Sequence, residues 1–326
     1  MRNKFNILMF FTLSAVLGTY ILSRSFKNEA GPTSEEIKKR LVESKTEFVE
    51  IKYYLFKKHP VLKLNADTMD MTGEKKFSFD MPHGAIYDET GVTPIFFSAE
   101  SGNYSQQNRL IALENNVQLS RLGAEFEAKS LKYSAYRDSF WAWGNIRSLI
   151  LDVKSGDKLE ITANEVQGWP SKEESSYKGN VVGKLLKKRK YETGLDFKAD
   201  VLKVNMLDSL VTMQGSVRLE KQRFNVQAGR AELLLENFNK KLKYYVLYDD
   251  IRLEEKLTLS DGSTLVRKAF SENLEGYNNE GKIVLTGAPR VIQGNDVIKG
   301  YKITLRENVE VVEVDEANSI FTIQKN

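Results

Sequence analysis

The sequence predicts an all-β protein, one continuous twisted antiparallel sheet stack preceded by a single N-terminal transmembrane helix, and three observations predict it. A small residue recurs in a short apolar frame: Leu64-Asn65-Ala66-Asp67, Phe97-Ser98-Ala99-Glu100, Phe126-Glu127-Ala128-Lys129, Ile161-Thr162-Ala163-Asn164, Phe197-Lys198-Ala199-Asp200 and Val226-Gln227-Ala228-Gly229. The alanines are 33, 29, 35, 36 and 29 residues apart, so one supersecondary unit is used repeatedly. A second motif follows in phase, in Asn116-Val117-Gln118-Leu119, Gly144-Asn145-Ile146, Gly179-Asn180-Val181-Val182, Gly215-Ser216-Val217-Arg218-Leu219 and Gly287-Ala288-Pro289-Arg290-Val291. Ala99 to Asn116, Ala128 to Asn145, Ala163 to Asn180 and Ala199 to Ser216 are each 17 residues apart. The third observation is the connections, which are too short for a parallel crossover of a dozen or more residues and therefore join antiparallel strands.

The elements follow in chain order. Residues 5–23 carry no charge, and as a helix these 19 residues span roughly 28 Å, the thickness of a bilayer core. Arg2 and Lys4 would also suit the basic start of a cleaved signal peptide, but Tyr20-Ile21-Leu22-Ser23-Arg24 offers no small-x-small cleavage site, so residues 1–24 are expected to be an uncleaved anchor. The amino terminus, Arg2 and Lys4 before the span, against Arg24 and Lys27 after it, lean toward a cytoplasmic N-terminus and an exported body. Residues 25–47 form the expected stalk: Gly31-Pro32 breaks the chain, Thr33 and Glu36 have capping-box spacing, and Ile37 with Leu41 suits a short helix.

From residue 48 on, the sequence is strand and turn. Lys57-Lys58-His59-Pro60, Thr72-Gly73-Glu74-Lys75, Asp88-Glu89-Thr90-Gly91, Lys154-Ser155-Gly156-Asp157 and Asn278-Asn279-Glu280-Gly281 are tight turns between alternating runs. The last repeats drift. Ala269-Phe270-Ser271-Glu272 and Ile298-Lys299-Gly300-Tyr301 keep a small residue, while an insertion or shifted register is expected between Asn237 and Leu257.

Composition narrows the function. The balance of 48 basic to 44 acidic residues gives a net charge of +4 without a basic stripe, which argues against a nucleic-acid partner. There is no cysteine, hence no disulfide framework or thiolate metal site. Only His59 and His83 exist, both near prolines in turns, and neither seeds a catalytic triad or a metal site. Asp249-Asp250 and Glu254-Glu255 fall in strand text, where neighbours point to opposite faces, so they are not expected to work as acid and base together. No phosphate-binding glycine loop is present, so no catalytic residue, metal or cofactor is expected.

The repeats place apolar residues on one sheet face. Two explanations of the recurring alanine stand side by side: a closed core in which alanine fits a sharp sheet bend, and an apolar groove in which alanine leaves width for acyl chains. The groove reading lines the site with Phe97, Ala99, Val117, Leu119, Phe126, Ala128, Phe140, Ile146, Ile161, Ala163, Phe197, Ala199, Leu210 and Val217. The basic run at 184–190 reads as a solvated edge, with a contact to lipid phosphates at the groove rim as the alternative. Trp141, Trp143 and Trp169 read as packing residues rather than a lipid-interface belt.

These residues resemble the lipopolysaccharide-export proteins LptC and LptA, the OstA-like group. The LptC-like pattern runs through Tyr54-Leu55-Phe56, Leu64-Asn65-Ala66-Asp67, Ala85-Ile86-Tyr87-Asp88-Glu89, Phe97-Ser98-Ala99-Glu100-Ser101-Gly102 and Leu113-Glu114-Asn115-Asn116-Val117-Gln118-Leu119, behind a single N-terminal span. The LptA-like signature lies in residues 285–305, beginning Leu285-Thr286-Gly287-Ala288-Pro289-Arg290-Val291. The resemblance implies an LptC-like β-jellyroll over 48–156 and an LptA/OstA-like jellyroll extension over 157–320, continuous with the first. It implies a two-sheet β-jellyroll open like a folded taco (a β-taco) that carries lipopolysaccharide or a related lipid by its acyl chains. Its implied partners are inner-membrane ABC transporter subunits and a further LptA-like or outer-membrane bridge protein. The protein would then be single-pass in the inner membrane with its body in the periplasm, and not an enzyme. The rival readings are a β-repeat scaffold or adhesin with a closed core and a polysaccharide-processing β-helix enzyme, the latter disfavoured by the short antiparallel turns.

Overall fold

The computed structural model describes residues 45–316 apart from short segments at 55–59, 72–75, 87–93, 106, 109, 122, 135–136, 138, 152–154, 170–171, 190–192, 237–240, 260–261 and 307–308. The expected anchor at 1–24 and nearly all of the stalk lie outside the described residues; the last three stalk positions, from Lys45, already belong to the first strand. Among the described residues no helix is long and apolar enough to cross a membrane. The described part is all-β, and its strands pair antiparallel.

The chain divides into two compact units, Met1–Val153 with Glu160–Ser175, and Lys154–Leu159 with Ser176–Asn326. The first holds β1 (Lys45–Tyr54), β2 (Pro60–Met71), β3 (Lys76–Asp80), β4 (His83–Ile86), β5 (Ile95–Ser98), β6 (Ser101–Ser105), β7 (Leu110–Arg121), β8 (Ala124–Ser134), β9 (Ser139–Leu151) and most of β10 (Lys158–Trp169). β1 lies on β2, which takes β4 along its first half and β3 along its second. β5 and β6 continue these two branches and both end on β7, where β8 and then β9 follow as long single strands. β3 with β4, and β5 with β6, are therefore two strands each broken at mid-length.

The second unit holds most of β11 (Glu174–Leu186), then β12 (Leu195–Asn205), β13 (Leu210–Lys221), β14 (Phe224–Glu236), β15 (Lys241–Thr258), β16 (Thr264–Tyr277), β17 (Lys282–Thr286), β18 (Arg290–Gln293), β19 (Asp296–Lys299), β20 (Lys302–Arg306) and β21 (Val312–Asp315). β12 through β16 pair in sequence. β16 then carries β17 on one half and β18 on the other; β17 leads to β20 and β21, and β18 to β19.

The breaks and the second sequence motif have one cause. Consecutive residues with positive φ occur at Asn115-Asn116, Gly144-Asn145, Gly179-Asn180, Gly215-Ser216, Asp249-Asp250 and Gly287-Ala288. Left-handed backbone is open to glycine and, among residues with a Cβ, most readily to asparagine and aspartate. Where registers are resolved, such a pair bulges against a single residue of a neighbour: Asn115-Asn116 against Lys129, Gly215-Ser216 against Gly229, Asp249-Asp250 against Glu272. A bulge bends its strand, and repeated at one level it creases the sheet. The crease also shifts the inward register, so β8 buries Phe126 and Ala128 before it and Leu131 and Tyr133 after it. Apolar residues are buried on both arms of the bend, which brings the two arms together as layers within each unit.

Two expectations change here. Asp249 and Asp250 do not sit on opposite faces of a regular strand; both are exposed at the bulge, where Asp250 holds Arg252 at 2.7 Å. The irregularity expected between Asn237 and Leu257 is the 18-residue strand β15, whose bulge takes the usual crease position.

The second unit also contains a buried ion pair. Arg267 and Glu255 face each other across β15 and β16 with side chains 0% and 3% exposed. Arg267 donates Nη2 to the Glu255 carboxylate and to the Arg306 carbonyl at 3.1 Å, and Nη1 to the Val309 carbonyl at 2.8 Å. One guanidinium thus ties the connection between β20 and β21 to the interior. Removing only one partner from a buried pair leaves an uncompensated charge, so Arg267→Met is expected to cost about 3–5 kcal/mol in chemical denaturation, and Arg267→Met with Glu255→Leu to recover most of that loss.

A smaller contact holds the start of this unit. The Asp157 carboxylate accepts Lys187 Nζ at 2.8 Å and the Lys188 amide at 3.1 Å. Partial burial works to raise the Asp157 carboxyl, but these hydrogen bonds and the Lys187 charge outweigh it and hold it below the usual carboxylate value. A depressed carboxyl stabilises the fold above its unfolded pKa and loses that contribution as pH falls through the folded one. Asp157→Asn should therefore cost about 1 kcal/mol at pH 7, discounted for partial exposure, with the gap to the parent closing below about pH 4 in pH-resolved melts.

Candidate functional site: the apolar face of the creased sheets

Thirteen of the fourteen expected groove residues are buried, and Leu210 is half-buried. In the first unit Phe97 pairs with Leu119 and Leu119 with Phe126, forming one row across β5, β7 and β8, and Val117 pairs with Ala128 beside the crease. Ile146 follows the crease of β9, Phe140 precedes it, and Ile161 and Ala163 lie on β10. In the second unit Phe197 pairs with Leu219 and Val217 with Ala228, again on the arm next to the crease, while Ala199 lies within the register shift of β12. Ala99, Ala128, Ala163, Ala199 and Ala228 are all buried at this level. In the next repeat it is Ser271, 17 residues before Ala288, rather than Ala269, that faces the crease, because Gly287 lies against Glu272.

Large rings pack over glycines on neighbouring strands. A Cβ on Gly183 would fall 1.8 Å from the Phe197 ring, one on Gly168 2.1 Å from Phe140, one on Gly276 1.9 Å from Tyr245, and one on Gly84 3.0 Å from Phe97. Each ring lies flat on backbone that any side chain would displace, so these aromatics fill the fold of the sheet. The alternation also hid half of this face from the sequence reading. Leu131, Tyr133, Leu202, Ala231 and Leu233 are buried beyond the crease in the opposite parity from the motif residues of their strands, whereas Met213 and Leu247 keep the parity of Val217 and Ile251. The signal that locates them is the left-handed pair itself.

Chemically the face is aliphatic and aromatic. Its buried polar side chains, among the described residues, are serines, Thr304 and the Glu255–Arg267 pair. His83 is exposed with Nδ1 3.0 Å from the Met81 carbonyl oxygen, and His59 lies outside the described residues. No group of potential metal ligands occurs among the described residues. The basic run at 184–190 is partly engaged: Lys187 holds Asp157, while Lys184 is exposed. Trp141 corrects the packing expectation. It lies on the wet face, 44% exposed, with its ring centroid 4.6 Å from that of Trp143, and its Nε1 donates to Glu165 at 3.4 Å.

Residues 196–311 match the family described as LptA/(LptD N-terminal domain) LPS transport protein. That stretch runs from β12 to the segment before β21 and lies within the second unit. The crystal structure of LptH, the LptA homologous periplasmic component of the conserved lipopolysaccharide transport device from Pseudomonas aeruginosa, is similar at 14% identity and a TM-score of 0.36, covering 40% of this chain and 95% of that chain. A likeness of that size adds nothing to the argument from the strands themselves. No curated protein matches the chain.

The ring-over-glycine packing has a measurable consequence. Gly183→Ala should destabilise the protein by about 1–3 kcal/mol through overpacking, and adding Phe197→Leu should offset part of the loss. A double-mutant cycle by chemical denaturation checks it; strict additivity would mean that the two residues do not touch.

Proposed function

We propose that this protein is a membrane-anchored periplasmic component of lipopolysaccharide transport, in which the creased apolar face carries lipid acyl chains from an inner-membrane ABC transporter toward the outer membrane. The observation that carries this reading is the match of residues 196–311 to an LPS transport family, on the unit whose crease motifs run through β13 to β17. The first unit repeats the same apparatus of left-handed pairs, buried alanines and ring-bearing strands, which supports one kind of cargo path in both. In this proposal residues 48–156 serve as the LptC-like half behind the anchor and 157–320 as the LptA/OstA-like half. β1 and β21 offer their backbones for strand addition to the transporter and to a further bridge protein. The protein supplies a path and docking edges; the driving force comes from its partners.

A closed β scaffold draws on a specific observation too, since Phe140, Phe197 and Tyr245 fill the space over their glycines. For acyl chains to enter, these rings must turn aside. The two readings separate in cells carrying a photo-crosslinking residue at Phe126 or Phe197, which should capture lipopolysaccharide, and at the exposed neighbours Lys198 or Gln227, which should not. Equal labelling at all four positions, or none at the two phenylalanines, favours the closed scaffold.

A further inference from the structure

We infer that the wet face of the first unit holds a saccharide-binding cleft, on the opposite side of the sheet from the apolar face. A cavity of about 620 Å³ lies over the stretch where β4, β5, β7 and β8 run side by side, within the size range of small-molecule sites. Two cross-strand rows make it. Phe96 pairs with Ser120 and Ser120 with Glu125; one step along, Ser98 pairs with Gln118 and Gln118 with Glu127. Phe97, Leu119 and Phe126 also border the cavity but alternate with these positions and are buried, so the exposed part of its lining is Phe96 and the polar residues of the two rows.

Three features select the ligand. Phe96 lines the cavity 54% exposed; a lone exposed ring means little, but this one is flanked by polar side chains, three of them without partners. The side chains of Ser98, Ser120 and Gln118 have no hydrogen-bond partner among the described residues. Two of the charges around them are already engaged: Lys63 holds Glu50 at 3.2 Å, and Glu127 has Arg147 at 3.9 Å. What remains is a flat apolar ring edged by neutral donors and acceptors and by the Glu125 carboxylate, which complements a sugar with one apolar face and a rim of hydroxyls better than it does an ion. An extended peptide is disfavoured, because β5 lies between β4 and β7 and has no edge to offer it.

The source of the sugar is either the headgroup of a glycolipid or a free glycan, and the chemistry is shared. The test titrates the full-length chain, in a zwitterionic detergent free of sugar, with two probes: lipid-free core oligosaccharide released from lipopolysaccharide by mild acid, and maltohexaose. Saturation-transfer NMR and calorimetry read the binding. At least one probe should bind, and Phe96→Ala and Gln118→Ala, both at exposed positions, should each weaken it about tenfold or more with unchanged circular dichroism. Preference for the core oligosaccharide assigns a glycolipid headgroup, and equal or better binding of maltohexaose assigns a free glycan. Binding that is lost in Trp141→Ala but kept in Phe96→Ala overturns the cleft, as does absence of binding by both probes. Loss of a protein partner in Phe96→Ala without any sugar binding overturns it too. Neither probe carries an acyl chain, so this inference and the lipid-path reading fail separately.

Discussion

Everything in this body depends on the left-handed residue pair at the middle of its strands. A strand that kept regular backbone throughout would expose one of its faces to water along its whole length. Two consecutive residues at positive φ bend it, and the two halves of one apolar face then cover each other. The conformation costs roughly 1–2 kcal/mol at each residue with a Cβ. That cost explains the composition of the motif: glycine leads in Gly144, Gly179, Gly215 and Gly287, and short side chains follow in Asn145, Asn180, Ser216 and Ala288. The recurring alanine is the other half of the same device: beside the crease Ala128 pairs with Val117 and Ala228 with Val217, a small side chain facing a branched one.

Width and filling follow from that bend. Farther out along each arm, several rings lie over a glycine of the neighbouring strand. Phe197 over Gly183 and Phe140 over Gly168 are the plainest cases. At these glycines, rings therefore fill the apolar face.

The repeat, the antiparallel order and the inward parity of the motif residues were legible because each is a local property: spacing, turn length and alternation. Thirteen buried positions out of fourteen follow from alternation alone. What was not legible lies beyond the bend. A crease adds a residue, and parity counted from Phe126 assigns Leu131 to the wrong face. The buried Arg267 was hidden for a different reason, since a charged residue in strand text reads as wet whatever its phase; only its alignment with Ala269 marks it as inward. Trp141 was misjudged because size suggests burial, whereas its place opposite Lys132 puts it outside. The cavity around Phe96 joins strands distant in sequence, so no single segment announces it.

The guanidinium of Arg267 finds two of its acceptors 39 and 42 residues downstream, at Arg306 and Val309. During synthesis at about 5–20 residues per second, strands β15 and β16 emerge roughly 2–8 s before those carbonyls exist. In that interval a desolvated cation has only Glu255 for company, so the strands that carry it gain full stability only once the C-terminus has arrived. The unit therefore has a built-in order of maturation. Chains truncated before residue 306 would leave that cation short of two acceptors, marking incomplete products for proteases.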